Sequence, residues 1–168
     1  MKYLGARGQK WLKSVHVFAA CLWVGGALTL FLMMFVMRSG DGAVVYGEDL
    51  AFKFVDDFIV IPGAVGLLAT GIVYSVFTKW GWFRHGWIMV KWCVNLFGVI
   101  LGTFWLGPWT NSLPVMSRAE GVKALSNPLY LHNLEMMRIW GSILAATIMF
   151  ALLVSTLRPW KRKGAKSN

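Results

Sequence analysis

Two of the three histidines stand at the edges of long apolar runs, where an imidazole can bind a metal. His16 opens the first run and His85 comes just before the third. A neutral imidazole ligates haem iron axially, so two imidazoles at one depth would suit the two faces of one iron. His16 and His85 are therefore the candidate metal ligands, and a site that uses His16 alone fits the sequence equally well.

Positive charge accompanies these histidines. Lys91 lies about one turn inside the third apolar run, and an ionisable residue inside a span costs about 2.5–3.5 kcal/mol unless a partner or water offsets it. Its stem could also snorkel to the headgroups. The sequence has no acidic residue on that side of the apolar runs, so a negative partner would be lipid or a ligand such as a haem propionate. We predict that Lys91 and Arg84 hold propionates.

Small and polar residues recur at helical spacing along the apolar runs. Such stripes usually mark close helix packing, because small residues let two backbones approach. The same stripes would shape a cofactor pocket if one exists. The remaining candidate cofactor-binding residues come from the first and third runs, and they are Trp23, Gly26, Asn95 and Gly98.

Methionines offer a second possible chemistry on the opposite side. Thioether sulfur is a soft ligand that favours Cu(I), although methionine in a membrane helix is usually packing material. Copper handling is therefore the alternative to haem binding. The residues that would serve it are Met33, Met37, Met116, Met136, Met137 and His132.

Four apolar segments must position these residues. They run over about 15–37, 58–77, 87–109 and 136–157, and each is long enough to cross a hydrocarbon core of about 30 Å as a helix. Backbone groups in lipid must pair internally, which favours helices here. We predict an all-α fold, in which residues 1–168 form one integral membrane domain, an antiparallel four-helix bundle.

The charges predict an orientation. All seven acidic residues fall on one side of the four segments, and twelve of the seventeen basic residues fall on the other. Lys and Arg resist translocation, so we expect both termini to be cytoplasmic. The net charge of +10 lies beside the spans, where it meets anionic lipid headgroups, and nucleic acid is therefore not an expected partner.

Local signals refine the boundaries. We expect a short amphipathic lead over residues 1–13 and a second helix that begins near Asp49. Pro62 should remove a backbone hydrogen bond and bend that helix. The segment after Pro108 reads as the longest loop, with an amphipathic stretch over 118–125. Asn127 then caps a fourth helix that begins at Pro128 and ends near residue 158.

The first helix resembles a known pattern. Residues 14–26, which include His16, Trp23 and Gly26, are similar to the histidine–tryptophan–glycine first helix of two groups of small bacterial membrane proteins. These are the copper-resistance D family and the membrane protoporphyrinogen-oxidase-like family. In the latter the first-helix histidine is associated with haem b, so the resemblance implies haem b at His16.

Other segments resemble most closely a bacterial family of predicted integral membrane proteins of unassigned function. They are Ile61-Pro62, Thr70-Gly71 and residues 80–91. Trp87 and Lys91 also match a tryptophan–lysine element of the oxidase-like family. That family has a histidine between the two, where this chain has Ile88, Met89 and Val90, so oxidase activity does not follow from the match.

The sequence thus favours a haem-b-binding protein of the bacterial inner membrane, in contact with the lipid bilayer. It would pass electrons between a quinone or porphyrin and the respiratory chain. The alternatives are a copper-handling or small-solute membrane protein and a non-catalytic subunit of a membrane complex, with a homo-oligomer also possible. The sequence has no nucleophile elbow, Walker loop, HExxH helix or CxxC motif, so catalysis of those types is not expected.

Overall fold

The computed structural model describes residues 3–37, 41–78 and 86–157, and within these ranges the chain forms helices and no strand. Short π-helical turns join α2 to α3 at Asp56–Val60 and α4 to α5 at Gly102–Leu106. A 3₁₀ helix, Gly121–Ser126, leads into the last helix. The α-helices are α1 (Ala6–Val36), α2 (Gly42–Val55), α3 (Ile61–Phe77), α4 (Gly86–Leu101), α5 (Gly107–Glu120) and α6 (Pro128–Leu157).

Four helical units in the described ranges are long and apolar enough to cross a membrane: Ala6–Val36, Val44–Phe77, Gly86–Ser126 and Pro128–Leu157. Each overlaps one of the four predicted apolar segments, so the all-α, four-span prediction is confirmed. Large apolar side chains such as Phe18, Leu32 and Phe104 are exposed on the outside of the bundle. In water such exposure would be unfavourable, whereas lipid tails accept it.

Helices α1 and α3 pack antiparallel at very short distance. Gly63 lies against the backbone of Trp23, and Gly66 lies against the side chain of Ala19 one turn further along α3. A Cβ built on Gly63 would stand 2.6 Å from the backbone nitrogen of Trp23. The absence of a side chain at Gly63 is therefore what lets the two helices meet. The predicted small-residue stripes serve this contact.

Both π turns precede a proline by the same spacing. The Ile61 N–H bonds the Asp56 carbonyl, and the Gly107 N–H bonds the Gly102 carbonyl. Pro62 and Pro108 follow immediately, and a proline ring crowds the carbonyl four residues before it. The widened turn accommodates that ring, so the predicted interruption at Pro62 takes the form of a π turn within a continuous helical unit.

Three local predictions were wrong. The lead over residues 1–13 is largely part of α1, which begins at Ala6, and the second helix begins at Gly42 instead of near Asp49. The predicted loop after Pro108 is helical through Glu120 and then 3₁₀. Its apolar residue Leu113 belongs to the same buried cluster as Val45 of α2, and this packing holds the segment in helical form.

The start of α6 agrees with the prediction. The Asn127 side-chain oxygen accepts a hydrogen bond from the Leu129 N–H at 2.9 Å, and its amide donates to Glu120 at 2.8 Å. The first bond satisfies a backbone donor at the helix end, which is the role of an N-cap.

We call the half of the bundle that contains His16, Thr70 and Lys91 the His16 end. The half that contains Asp49, Asp56 and Tyr130 is the Asp49 end.

A buried carboxyl group tethers α2 to α6 at the Asp49 end. Asp49 is 2 % exposed, and the completely buried Tyr130 donates its hydroxyl to the Asp49 carboxyl oxygens at 3.0 and 3.2 Å. A buried polar group that loses its partner costs free energy because water cannot replace the bond. The pair therefore links α6 to α2 by a buried hydrogen bond.

We expect Tyr130→Phe to lower the free energy of unfolding by about 1–3 kcal/mol, since it removes the hydroxyl from the buried carboxyl group. Unfolding in mixed detergent micelles measures the loss. The matched control is Tyr46→Phe, because the half-buried Tyr46 makes no hydrogen bond to a residue that the structure describes. Equal stability of the two variants would contradict the role of Tyr130.

Candidate functional site

His16 points from α1 toward α3. Its Nδ1 lies 2.7 Å from the hydroxyl oxygen of Thr70, which is buried. The ring also meets the edge of Tyr74, with the two centroids 5.4 Å apart and the planes at 82°. Tyr74 comes one turn after Thr70 on α3, so the two side chains flank the imidazole along one helix face. His16 is thereby directed into a helix–helix contact instead of toward lipid tails.

The Thr70 hydroxyl determines which imidazole nitrogen carries the proton. Its oxygen lies 2.6 Å from the Gly66 carbonyl, to which it donates its single hydrogen. The hydroxyl therefore accepts from His16, so Nδ1 is the protonated nitrogen and Nε2 carries the lone pair. Among the residues that the structure describes, Nε2 has no hydrogen-bond partner. Metal-ligating histidines show the same arrangement, in which the second ring nitrogen donates to an acceptor.

Lys91 stands at the same depth as His16. The ring of Trp23 packs on Gly98, which places these two residues at one depth. His16 lies seven residues before Trp23 on α1, and Lys91 lies seven residues before Gly98 on α4. Lys91 is near enough to His16 for an electrostatic interaction. Its ammonium lies 5.2 Å from the centroid of the Trp87 ring, a cation–π distance. The structure therefore brings two of the predicted site residues, His16 and Lys91, into one layer of the bundle.

Asn95 is a polar residue of α4 that helix packing does not explain. It is 8 % exposed, and neither atom of its side-chain amide has a hydrogen-bond partner among the described residues. Asn95 is one turn from Lys91 on α4 and one turn from Gly98. Buried amides are almost always hydrogen-bonded, so this side chain is suited to a ligand or a water at the His16 end.

Trp23 and Gly26 lie deeper in the bundle. Trp23 is buried, and its ring covers Gly98 of α4. Gly26 is also buried, and a Cβ there would stand 2.7 Å from the Val60 side chain. Both residues have clear packing roles between α1 and its neighbours. Their predicted contact with a cofactor stays a prediction.

Arg84 and His85 lie outside the described residues. The predicted axial pair of His16 with His85, and the propionate contact of Arg84, therefore stay predictions. The described part of the site is formed by His16, Thr70 and Lys91, which belong to three different helices.

The methionines of the copper alternative pack in the core at the Asp49 end. Met137 is completely buried, and Met33 and Met116 pack against the same apolar cluster. His132 is exposed on α6. Within residues 3–37, 41–78 and 86–157, no three histidine, cysteine or acidic side chains meet to hold a metal ion. Copper binding stays a prediction that relies on the methionines.

Two polar features of the Asp49 end escaped sequence reasoning. The tether between Asp49 and Tyr130 joins residues far apart in the chain. The second feature is Asp56, which lines a cavity that is partly open at the surface of the bundle. The available signal for Asp56 was its place six residues before Pro62, since a proline inside a membrane helix disturbs the backbone ahead of it.

The fold and the apolar exterior define a helical integral membrane protein with four candidate spans. The chain belongs to the family described as "Predicted integral membrane protein (DUF2269)", which matches residues 10–161. The predicted resemblance to an integral membrane family of unassigned function is thereby confirmed. No curated protein and no solved structure matches the chain. The resemblance to the copper-resistance D and oxidase-like families stays a prediction.

Proposed function

We propose that this membrane protein binds haem b, with His16 as an axial ligand to the iron. The observation that carries the proposal is the hydrogen-bond relay from His16 through Thr70 to the Gly66 carbonyl. That relay leaves the Nε2 lone pair available and holds the ring against α3. An imidazole in this tautomer is ready to ligate iron without first losing a proton.

The neighbouring residues fit the group. A haem carries two propionates, and the ammonium of Lys91 lies in the His16 layer, where it would attract a carboxylate. The buried amide of Asn95 would supply a donor and an acceptor to the bound group. His16 does not line the cavity that contains Asp56, so the porphyrin would bind at the His16 end.

Bound haem would supply one-electron chemistry. The chain's own residues would hold the imidazole in one orientation, limit access of water to the ring and balance the propionate charge. A half-buried ligand of this kind suits electron exchange with a lipid-soluble quinone or a porphyrin in the bilayer. The proposed location is the bacterial inner membrane with both termini cytoplasmic, as the distribution of Lys and Arg favours.

Absorption spectroscopy of the protein purified in detergent after haem supplementation tests the proposal. We expect a Soret band in the wild type and its loss in His16→Ala, because the axial imidazole is removed. The matched control is His132→Ala, which removes an exposed histidine of α6 and should leave the band unchanged. A wild type with no Soret band, or equal bands in wild type and His16→Ala, would refute the proposal.

A further inference from the structure

A cavity of about 390 Å³, partly open at the surface of the bundle, extends from Trp23 to Asp56 at the Asp49 end. Its volume is at the lower end of the roughly 300–1,000 Å³ that small-ligand sites enclose. Most of the lining is apolar, and it comes from α1, α3, α4, α5 and α6 and from the two π turns. Besides Trp23, the polar residues of the lining are Asp56, Thr103, Thr110 and Asn111.

Both π turns of the described chain contribute to the lining of this cavity. Asp56 and Val60 come from one turn, and Gly102, Thr103 and Leu106 come from the other. A π turn widens the helix and shifts the side chains that follow it, and such turns occur often at functional sites. Because two turns with the same spacing to a proline line one cavity, we interpret the cavity as a functional feature and not as a packing defect.

Asp56 places a carboxyl group on the cavity wall without a hydrogen-bond partner among the described residues. Lys53, which interacts electrostatically with Asp56, is already engaged: its ammonium bonds Asp57 at 2.7 Å and also donates to Asn111. Two carboxylates and one ammonium leave one net negative charge at this end of the cavity. A negative charge inside a membrane protein is costly unless a cation or proton meets it.

Aromatic rings complete the wall. Trp23, Phe31 and Phe52 line the cavity from α1 and α2, and the faces of such rings attract organic cations. An apolar cavity that is lined by aromatic rings and one carboxylate can recognise an alkylammonium group. The geometry points to a binding site for a small organic ammonium ion. The ammonium group of the ligand would lie against the Asp56 carboxylate, and its apolar body would lie among the rings. Asp56 lies at the Asp49 end, in the other half of the bundle from His16, so its carboxyl group is not part of the proposed haem site.

Choline is the probe, and 3,3-dimethylbutan-1-ol is its neutral carbon isostere. Titration calorimetry of the protein in a detergent without cationic headgroups should detect choline, and should detect the isostere at least tenfold more weakly. In Asp56→Asn the affinity for choline should fall at least tenfold, to the level of the isostere. Asp57→Asn is the matched control, because Asp57 is bonded to Lys53 and does not line the cavity.

A second variant covers the case in which Asp56→Asn fails to fold. Gly102 lines the cavity, and a Cβ there would meet no atom within 4 Å. Gly102→Leu should therefore fold and reduce choline binding at least tenfold by filling space. Equal affinity for choline and the isostere, no choline binding by the wild type, or equal loss in Asp57→Asn would overturn the inference.

The ammonium could come from a free solute or from a lipid headgroup. Competition distinguishes the two sources of the same chemistry. Displacement of choline by phosphatidylethanolamine, with no effect of free ethanolamine at equal concentration, assigns the cavity to a lipid. Displacement by free ethanolamine assigns it to a soluble amine. Displacement by neither contradicts an ammonium site. The Soret band should be the same in Asp56→Asn and the wild type, so failure here and failure of haem binding are distinguishable.

Discussion

Replacing Gly63 with alanine should break the contact between α1 and α3 and cause a large loss of stability. The added methyl group would lie 2.6 Å from the Trp23 nitrogen and 2.9 Å from its Cα. Both atoms belong to the helix backbone, so no side-chain rotation relieves the clash and the helices must separate. Overpacking in a core costs about 1–3 kcal/mol and occasionally more, and we expect the upper end here. SDS-induced unfolding in mixed micelles measures the change.

The separation would also have a local consequence. Because Gly66 and Thr70 lie on the same face of α3 as Gly63, moving α3 outward lengthens the distance from His16 to Thr70. Gly25→Ala is the matched control, since a Cβ at Gly25 of α1 meets no atom within 4 Å. Alanine favours a helix over glycine, so this variant should be as stable as the wild type or slightly more so. Equal behaviour of the two variants would contradict the role of Gly63.

The four-span fold could be predicted from the sequence because its signal is local. The length and composition of each apolar segment indicate a span. The pair Asn127-Pro128 predicts the start of α6, because asparagine caps a helix and proline suits its first position. The prediction of a loop after Pro108 is wrong. It rests on the hydropathy of this segment, which falls below that of a membrane span. Its helical form depends on tertiary contacts such as that of Leu113 with α2, and local propensity does not report such contacts.

The candidate site could be predicted only in part. His16 and Lys91 stand out as polar residues in or beside apolar runs, and their similar depth follows from counting residues along the spans. The partner of His16 could not be identified from the sequence, because it depends on the register of α1 against α3. That register is set by the close approach of Gly63 to Trp23. From the sequence alone, Thr70 is one polar residue in a stripe of small and polar residues. Its hydrogen bond to His16 is seen only in the structure.

The cavity lay beyond sequence reasoning for a related reason. Pro62 and Pro108 each indicate a local disturbance of a helix, yet nothing in the sequence says that the two disturbed turns face each other. Asp56 likewise reads as an acidic residue near the start of a span. Its place on a cavity wall follows from the packing of α1, α3, α4 and α6 around the space. Chemistry that arises from such a meeting of distant segments requires coordinates.

Thr70→Val should weaken haem binding by about 10–100-fold, the range typical for loss of a residue that orients a metal-ligating histidine. Valine keeps the shape of threonine but cannot accept the hydrogen bond from Nδ1 of His16. The imidazole then loses its fixed tautomer and its orientation toward the iron. This expectation rests on the proposed function. Titration of the purified apoprotein with haem, followed at the Soret band, measures the affinity.

Two variants separate this positioning role from simple loss of stability. Thr70→Ser keeps the hydroxyl and should restore most of the affinity. Thr147→Val removes a threonine hydroxyl that donates to a backbone carbonyl of α6, as Thr70 does in α3, but it has no histidine beside it to orient. Thr147→Val should therefore bind haem like the wild type. If it lost affinity as Thr70→Val does, the effect would arise from helix packing, and Thr70 would have no specific role in orienting His16. A shift in the haem reduction potential in Thr70→Val alone would support the bond to His16, because that bond tunes the basicity of the ligand.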